Sequence, residues 1–239
     1  MTGPLPAPGR TGVRIGGDHY QWLIAWSGCL TALYDDAARP ANPVVAVEVE
    51  ATAAGNLDDV VLRRAAPPHT YSQVKYAVDA ASPVNTDWLT RPSASGGPGL
   101  LAKTTAAWRK LSADGAPADL AIVTNRSPDP GDILVSGRDS RTGLLLPTAG
   151  EQTSRSARGR ARAAWARAVG LGEEELLQLL GVLRFDLALD LAQVERMVSL
   201  QMLVCGLRGD ADAVRAGADW IASQVRASRT SIDVPAIEV

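Results

Sequence analysis

Leu57-Asp58-Asp59-Val60-Val61-Leu62, followed after a polar turn by Tyr71-Ser72-Gln73-Val74-Lys75, decides how this chain is read. It is a pair of acids, an apolar strand, a turn through Pro67-Pro68, and a second strand with an amide and an ammonium two residues apart. Side chains at i and i+2 of a strand share a face, so Gln73 and Lys75 point the same way. A hairpin brings the Asp pair beside them, which makes a compact site for one divalent cation and one phosphate.

Lysine is scarce: Lys75, Lys103 and Lys110 are the only three, against abundant arginine. A lysine at position 75 therefore draws attention. At 239 residues and 46% apolar, the chain has enough for a buried core. Its net charge of -2 carries no global basic signature, so a nucleic-acid role must rest on a local patch. Cys29 and Cys205 are far apart in apolar helical contexts and read as buried thiols of a reducing cytoplasm. No apolar run is long enough to span a bilayer.

Working outward, residues 1–12 read as a flexible lead-in and Gly16-Gly17-Asp18 as a turn with an N-cap, ahead of a helix over Tyr20 to Tyr34. Val44 to Glu50 is a β-branched strand. The Pro, Ser, Gly and Asn content between Asp79 and Pro98 predicts a long surface loop. A helix follows over Leu100 to Leu111, and Asp119 to Thr124 has the continuous apolar character of a strand buried on both faces. Beyond an irregular region with a short strand at Ile133-Leu134-Val135, four helices are predicted: Ser154–Val169, Glu173–Leu183, Leu191–Leu207 and Ala211–Ala227. The apolar spacings of the second and third of these fit either core or a dimer seam. The last residues, 229–239, read as an extended tail without a partner, or as a linker to a further domain.

Hydrolysis of a phosphodiester needs a cation to polarise the phosphoryl oxygen and a positive group to stabilise the developing charge. Asp59 offers a carboxylate to Mg²⁺, Gln73 an amide oxygen, and Lys75 a charge for the water or the phosphate. Only one of two adjacent acids in an extended chain can face the lysine. Asp59 is preferred over Asp58 because it directly precedes Val60-Val61-Leu62. Glu48 and Glu50 share a face of the preceding strand and either approach the metal or cover a sheet edge. His19 and His69 are isolated, in turn-like contexts. Arg155, Arg158 and Arg162 fall at helical spacing on one face and could hold phosphates without reading sequence; the plainer reading is a solvated face paired with Glu173 to Glu175.

The order helix, three strands, helix, strand, with an acid before one strand and Q-x-K in the next, resembles the PD-(D/E)XK restriction-endonuclease-like superfamily. Within it the chain is similar to the double-stranded DNA endonuclease domains of bacterial anti-phage defence proteins, those of CBASS nuclease effectors and of some Avs-type NTPases. The matching pieces are Gly17-Asp18-His19-Tyr20-Gln21, Val47-Glu48, Asp58-Asp59-Val60, Ser72-Gln73-Val74-Lys75, Val123-Thr124-Asn125-Arg126, Ser156-Ala157-Arg158-Gly159-Arg160 and Leu183-Arg184-Phe185.

That resemblance implies an α/β fold, a mixed sheet flanked by helices with a helical C-terminal subregion: one nuclease domain over 13–228, with its core at 13–150 and the helical part at 151–228. It implies catalytic Asp59, Gln73 and Lys75, supported by Gln21 on the first helix, and Mg²⁺ or Mn²⁺ as cofactor. It further implies a cytoplasmic endonuclease of double-stranded DNA with little sequence specificity, controlled through homo-oligomerisation and a sensor domain or partner. Gln73 stands where many of the superfamily have Glu or Asp, which weakens metal binding. The competing expectation is a catalytically silent nucleic-acid-binding or oligomerisation module on the same fold.

Overall fold

The computed structural model describes residues 10–51, 57–93, 96–113, 115, 117–149, 153 and 155–237, with side chains from residue 16 onward. Among them, six strands form one mixed sheet with helices on both faces. The strands are β1 (Val44–Val49), β2 (Val60–Arg64), β3 (His69–Lys75), β4 (Ala118–Thr124), β5 (Leu183–Asp186) and β6 (Ser231–Asp233), in the spatial order β5-β4-β3-β2-β1-β6. β1, β2 and β3 form an antiparallel meander, and β6 joins β1 antiparallel. β3, β4 and β5 run parallel, which requires crossover connections.

The helices are α1 (Arg10–Ala38), α2 (Thr86–Thr90), α3 (Leu100–Ala113), α4 (Ala157–Val169), α5 (Glu173–Val182), α6 (Leu191–Val204) and α7 (Ala211–Arg226). Alternation along the strands divides the core in two. Val47, Val60, Val74 and Val123 pack with Leu23, Trp26 and Leu30 of α1, Val198 of α6 and Ile221 of α7. Val61, Tyr71, Leu120 and Ile122 pack on the other face with Leu89 of α2, Leu101 of α3, Trp165 of α4 and Leu179 of α5. Each fully buried aliphatic side chain contributes about 1.5–3 kcal/mol before chain entropy is subtracted. β4 feeds both halves, and all its residues but Asp119 are buried.

Several expectations need correction. Helix α1 begins at Arg10, so residues 10–12 belong to it, while 1–9 lie outside the described residues. Gly16-Gly17-Asp18 is helical, not a turn. A Cβ on Gly16 would stand 3.3 Å from the Tyr76 ring, so close approach to the segment after β3 offsets the usual cost of glycine in a helix. The 79–98 segment contains α2, capped by Asn85, whose side chain accepts from Trp88 N at 2.9 Å. Ile133-Leu134-Val135 forms turns around Asp132, not a strand.

The helical C-terminal part is present and is shared between the two layers: α4 and α5 cover one sheet face, α6 and α7 pack on α1 across the other, and β5 lies between the two pairs in sequence. The tail, expected to lack a partner, has one over its described residues, 229–237. Ile232 pairs with Val47, and both Ile232 and Ile237 are buried in the core.

Candidate active site

The hairpin forms as its period-two pattern requires. Val60 pairs with Ser72 and Val61 with Tyr71, so one further step of the same register sets Asp59 opposite Gln73. Tyr71, Gln73 and Lys75 share the face of β3 that looks toward α2 to α5, and Asp59 shares the corresponding face with Val61.

Asp59 is the hub. Its Oδ2 accepts from the Gln73 Nε2 amide in a close contact, from the Val74 backbone N–H at 2.8 Å, and from Lys75 Nζ at 3.5 Å. The Asp59 carbonyl oxygen accepts from Gln21 Nε2 of α1 at 3.3 Å and from the Glu50 backbone N–H at 3.2 Å. The four residues expected to act together are therefore brought together. Gln73 is buried, whereas the Lys75 side chain is 45% exposed and open to a ligand.

Asp59, Gln73 and Lys75 line a cleft of about 380 Å³; Gln21 lies behind Asp59 and not on the cleft wall. Asp58 lines it as well. Burial lifts the Asp58 carboxyl above its ordinary range and the Asp59 charge adds to the lift, while its own backbone hydrogen bond and Lys75 oppose it. The opposite wall comes from α2, α3 and the segment between them, lined by Trp88, Arg91 and Lys103. Gly99 permits this wall, because a Cβ there would lie 2.5 Å from the Thr90 carbonyl oxygen.

The donors suit a hard cation of the Mg²⁺ type. All three bonds to the Asp59 carboxylate converge on Oδ2, leaving Oδ1 without a hydrogen-bond partner among the described residues; Gln73 Oε1 is likewise without one. With the Asp58 carboxyl these are two carboxylates and an amide, and Mg²⁺ usually takes one or two carboxylates and keeps several waters. Among the described residues, no three His, Cys, Asp or Glu side chains gather at one point. The set is therefore poor for zinc, which takes four tetrahedral N or S donors in its structural sites.

Glu48 does not reach the cleft. It forms a two-pronged pair with Arg63, at 2.8 and 2.9 Å, and Arg63 donates onward to the Tyr71 hydroxyl at 2.9 Å. That row lies beyond Val61, toward the hairpin turn. Glu50 is exposed, with φ +54°, and touches the site through its backbone N–H. His69 accepts from Arg64 N at 3.2 Å and orders the turn; burial, then the Arg63 charge, lowers its pKa. His19 lies within α1 rather than in a turn.

The three arginines do not form one exposed face, because Arg162 is buried, while Arg155 is exposed and Arg158 half-exposed. Arg155 precedes α4, which starts at Ala157 behind the Ser156 cap. Arg162 is 2% exposed and pairs with Glu173 at 2.8 Å. Helical spacing groups side chains but does not say whether their face looks outward; here position 162 lies beside Trp165, on the stripe that enters the core. Arg158 is the member left half-exposed on the helix.

Sequence reasoning passed over Trp88, Arg91 and Lys103, since their segment read as loop or plain helix. The scarcity of lysine applied to Lys103 as much as to Lys75, and was a usable signal. No family model matches the chain, and no curated protein matches it significantly.

Proposed function

We propose that this chain is a Mg²⁺-dependent (or Mn²⁺-dependent) endonuclease that hydrolyses double-stranded DNA with little sequence specificity, acting in the cytoplasm as the effector of an anti-phage defence protein of the PD-(D/E)XK type it resembles. One observation carries the reading: Asp59, Gln73 and Lys75 converge in an open cleft, with Gln21 bracing Asp59 from behind.

Asp59 Oδ1, the Asp58 carboxyl and Gln73 Oε1 are the groups that would hold the ion, and the ion supplies a lowered water pKa and charge neutralisation at the phosphoryl oxygen. Lys75 Nζ, exposed and anchored to Asp59, holds a non-bridging phosphate oxygen as negative charge builds there. Gln73 fixes the carboxylate and orients water through its amide. Gln21 and the Glu50 amide immobilise the Asp59 backbone, so the carboxylate keeps its aim when the solvent around it changes.

Regulation by self-association is part of the proposal. α6 buries Val194, Val198 and Met202 yet leaves Met197, Leu200, Leu203 and Val204 exposed, the last three at 63%, 58% and 66%. Such a stripe suits a second copy of the chain. No helix among the described residues is long and apolar enough to cross a membrane.

Purified protein incubated with supercoiled plasmid and Mg²⁺ tests the activity, beside Asp59→Asn and Lys75→Ala. Cleavage by the wild type that both variants lose supports the reading. Equal cleavage by all three removes the site, and cleavage by none, at concentrations where the protein self-associates, leaves a binding module.

A further inference from the structure

Among the described residues, Lys103 is the one cation of the cleft whose charge has no evident use. Lys75 is tied to Asp59, and Arg91 to Asp87 one turn back on α2. Lys103 lines the cleft from α3, half-buried, with no ion-pair partner among the described residues although Asp58 and Asp59 line the same space. A half-buried ammonium without a counter-charge loses hydration and gains little in return. An anion in the cleft would compensate it.

The scissile phosphate is served by Lys75 and the carboxylates on the sheet side, and Lys103 stands on the opposite wall beside Arg91. The Arg91–Asp87 pair is exposed on both sides, so little energy holds it in place, and Arg91 is free to turn inward. A cleft near 380 Å³ has room for more than one phosphate group.

We infer that Lys103, with Arg91, forms a second phosphate subsite that grips the phosphodiester adjacent to the one being cut. This rests on the reading of the cleft as a phosphodiester-cleaving site and narrows its substrate: a strand with consecutive phosphates is preferred to an isolated diester or monoester. Lys103 is a positioning residue here, since it holds the strand and not the reacting group.

The test compares wild type, Lys103→Ala, Lys103→Arg and Lys103→Ala/Arg91→Ala. Cleavage is followed on duplex DNA and on bis(p-nitrophenyl) phosphate, which has one phosphate and no neighbour. Binding of a duplex oligonucleotide is measured separately in Ca²⁺ over a series of salt concentrations. Lys103→Ala is expected to raise KM for DNA roughly tenfold with a smaller change in kcat, the size that removing a single charge-assisted hydrogen bond to a phosphate implies. It is also expected to lower the salt slope of binding by about one. Its penalty on bis(p-nitrophenyl) phosphate is smaller than on DNA, Lys103→Arg restores most of the loss, and the double variant loses more.

A salt slope equal to that of the wild type, or equal penalties on both substrates, overturns the subsite. Because binding is read without cleavage, a wild type that cuts neither substrate while Lys103→Ala still lowers the slope would defeat the nuclease reading and leave the subsite standing.

Discussion

Val74 donates its backbone N–H to Asp59 Oδ2 at 2.8 Å across the β2–β3 pair. The acid is thus fixed by the strand that carries Lys75, and hairpin register and site geometry are one property. A slip of one residue would turn Gln73 and Lys75 to the α1 face.

Asp59→Asn keeps this volume and removes the charge. It is expected to lower plasmid cleavage roughly a hundredfold or more, as should Lys75→Ala. Gln21→Ala, acting through the Asp59 backbone, should cost roughly tenfold. Initial rates with circular dichroism spectra of each variant check the ranking; a Gln21 loss as large as that of Asp59 would place Gln21 at the reacting atoms.

Arg162→Ala should act on stability and not on DNA. It removes a buried side chain and its bond to Glu173, whose own side chain is 45% exposed and rehydrates easily. The expected loss is about 2 kcal/mol, a fall of several degrees in Tm. Thermal unfolding reads the first part. A DNA-binding salt slope lowered by the substitution would return Arg162 to the DNA surface.

Burial lifts the Asp186 carboxyl above its ordinary range, against the pull of Arg184 at 2.9 Å. Because the folded chain holds this proton more tightly, ionising Asp186 costs folding free energy. Wild-type stability on this account falls as pH climbs from the ordinary carboxyl value near 3.9 through the lifted one. Asp186→Asn removes that component, so its stability relative to wild type should rise across the same interval. Urea unfolding at a series of pH values decides it, and a difference independent of pH would assign Asp186 no burial cost.

Leu200→Glu with Val204→Glu puts charge on the exposed stripe of α6 without entering the core. If that stripe seats a second copy, sedimentation should show the associated fraction falling while the Tm of the monomer changes little. Unchanged association moves the interface elsewhere.

The parts legible in the sequence were the period-two β2–β3 hairpin, the β-branched run of β1, the continuous apolar run of β4, and the apolar helical spacing of α3 to α7. Leu183-Arg184-Phe185 is β5, yet it follows the Leu-rich α5 directly, and a short apolar run carries no sign of where a helix ends and a strand starts. β6 is three residues long and is defined by pairing with β1, some 180 positions away. The convergence of Asp59 and Gln73 was readable because register alone brings them together. The far wall was not, since Trp88 and Lys103 meet the site only through the crossover from β3 to β4, whose path no local pattern encodes. Arg162 misled because a helix has a face toward the core as well as one toward solvent.

That cleft has two builders. Its floor is strand, locked by backbone pairing and by buried neighbours; its far wall is a short capped helix and the start of α3, held to the sheet by a few apolar anchors such as Leu89 and Leu101. Positions on the wall can be exchanged, lengthened or recharged while Asp59, Gln73 and Lys75 stay where the strands hold them. If the cleft cuts phosphodiesters as proposed, substrate preference and cutting chemistry are separable traits, and grafting a different 86–103 wall is the natural route to altering the first without disturbing the second.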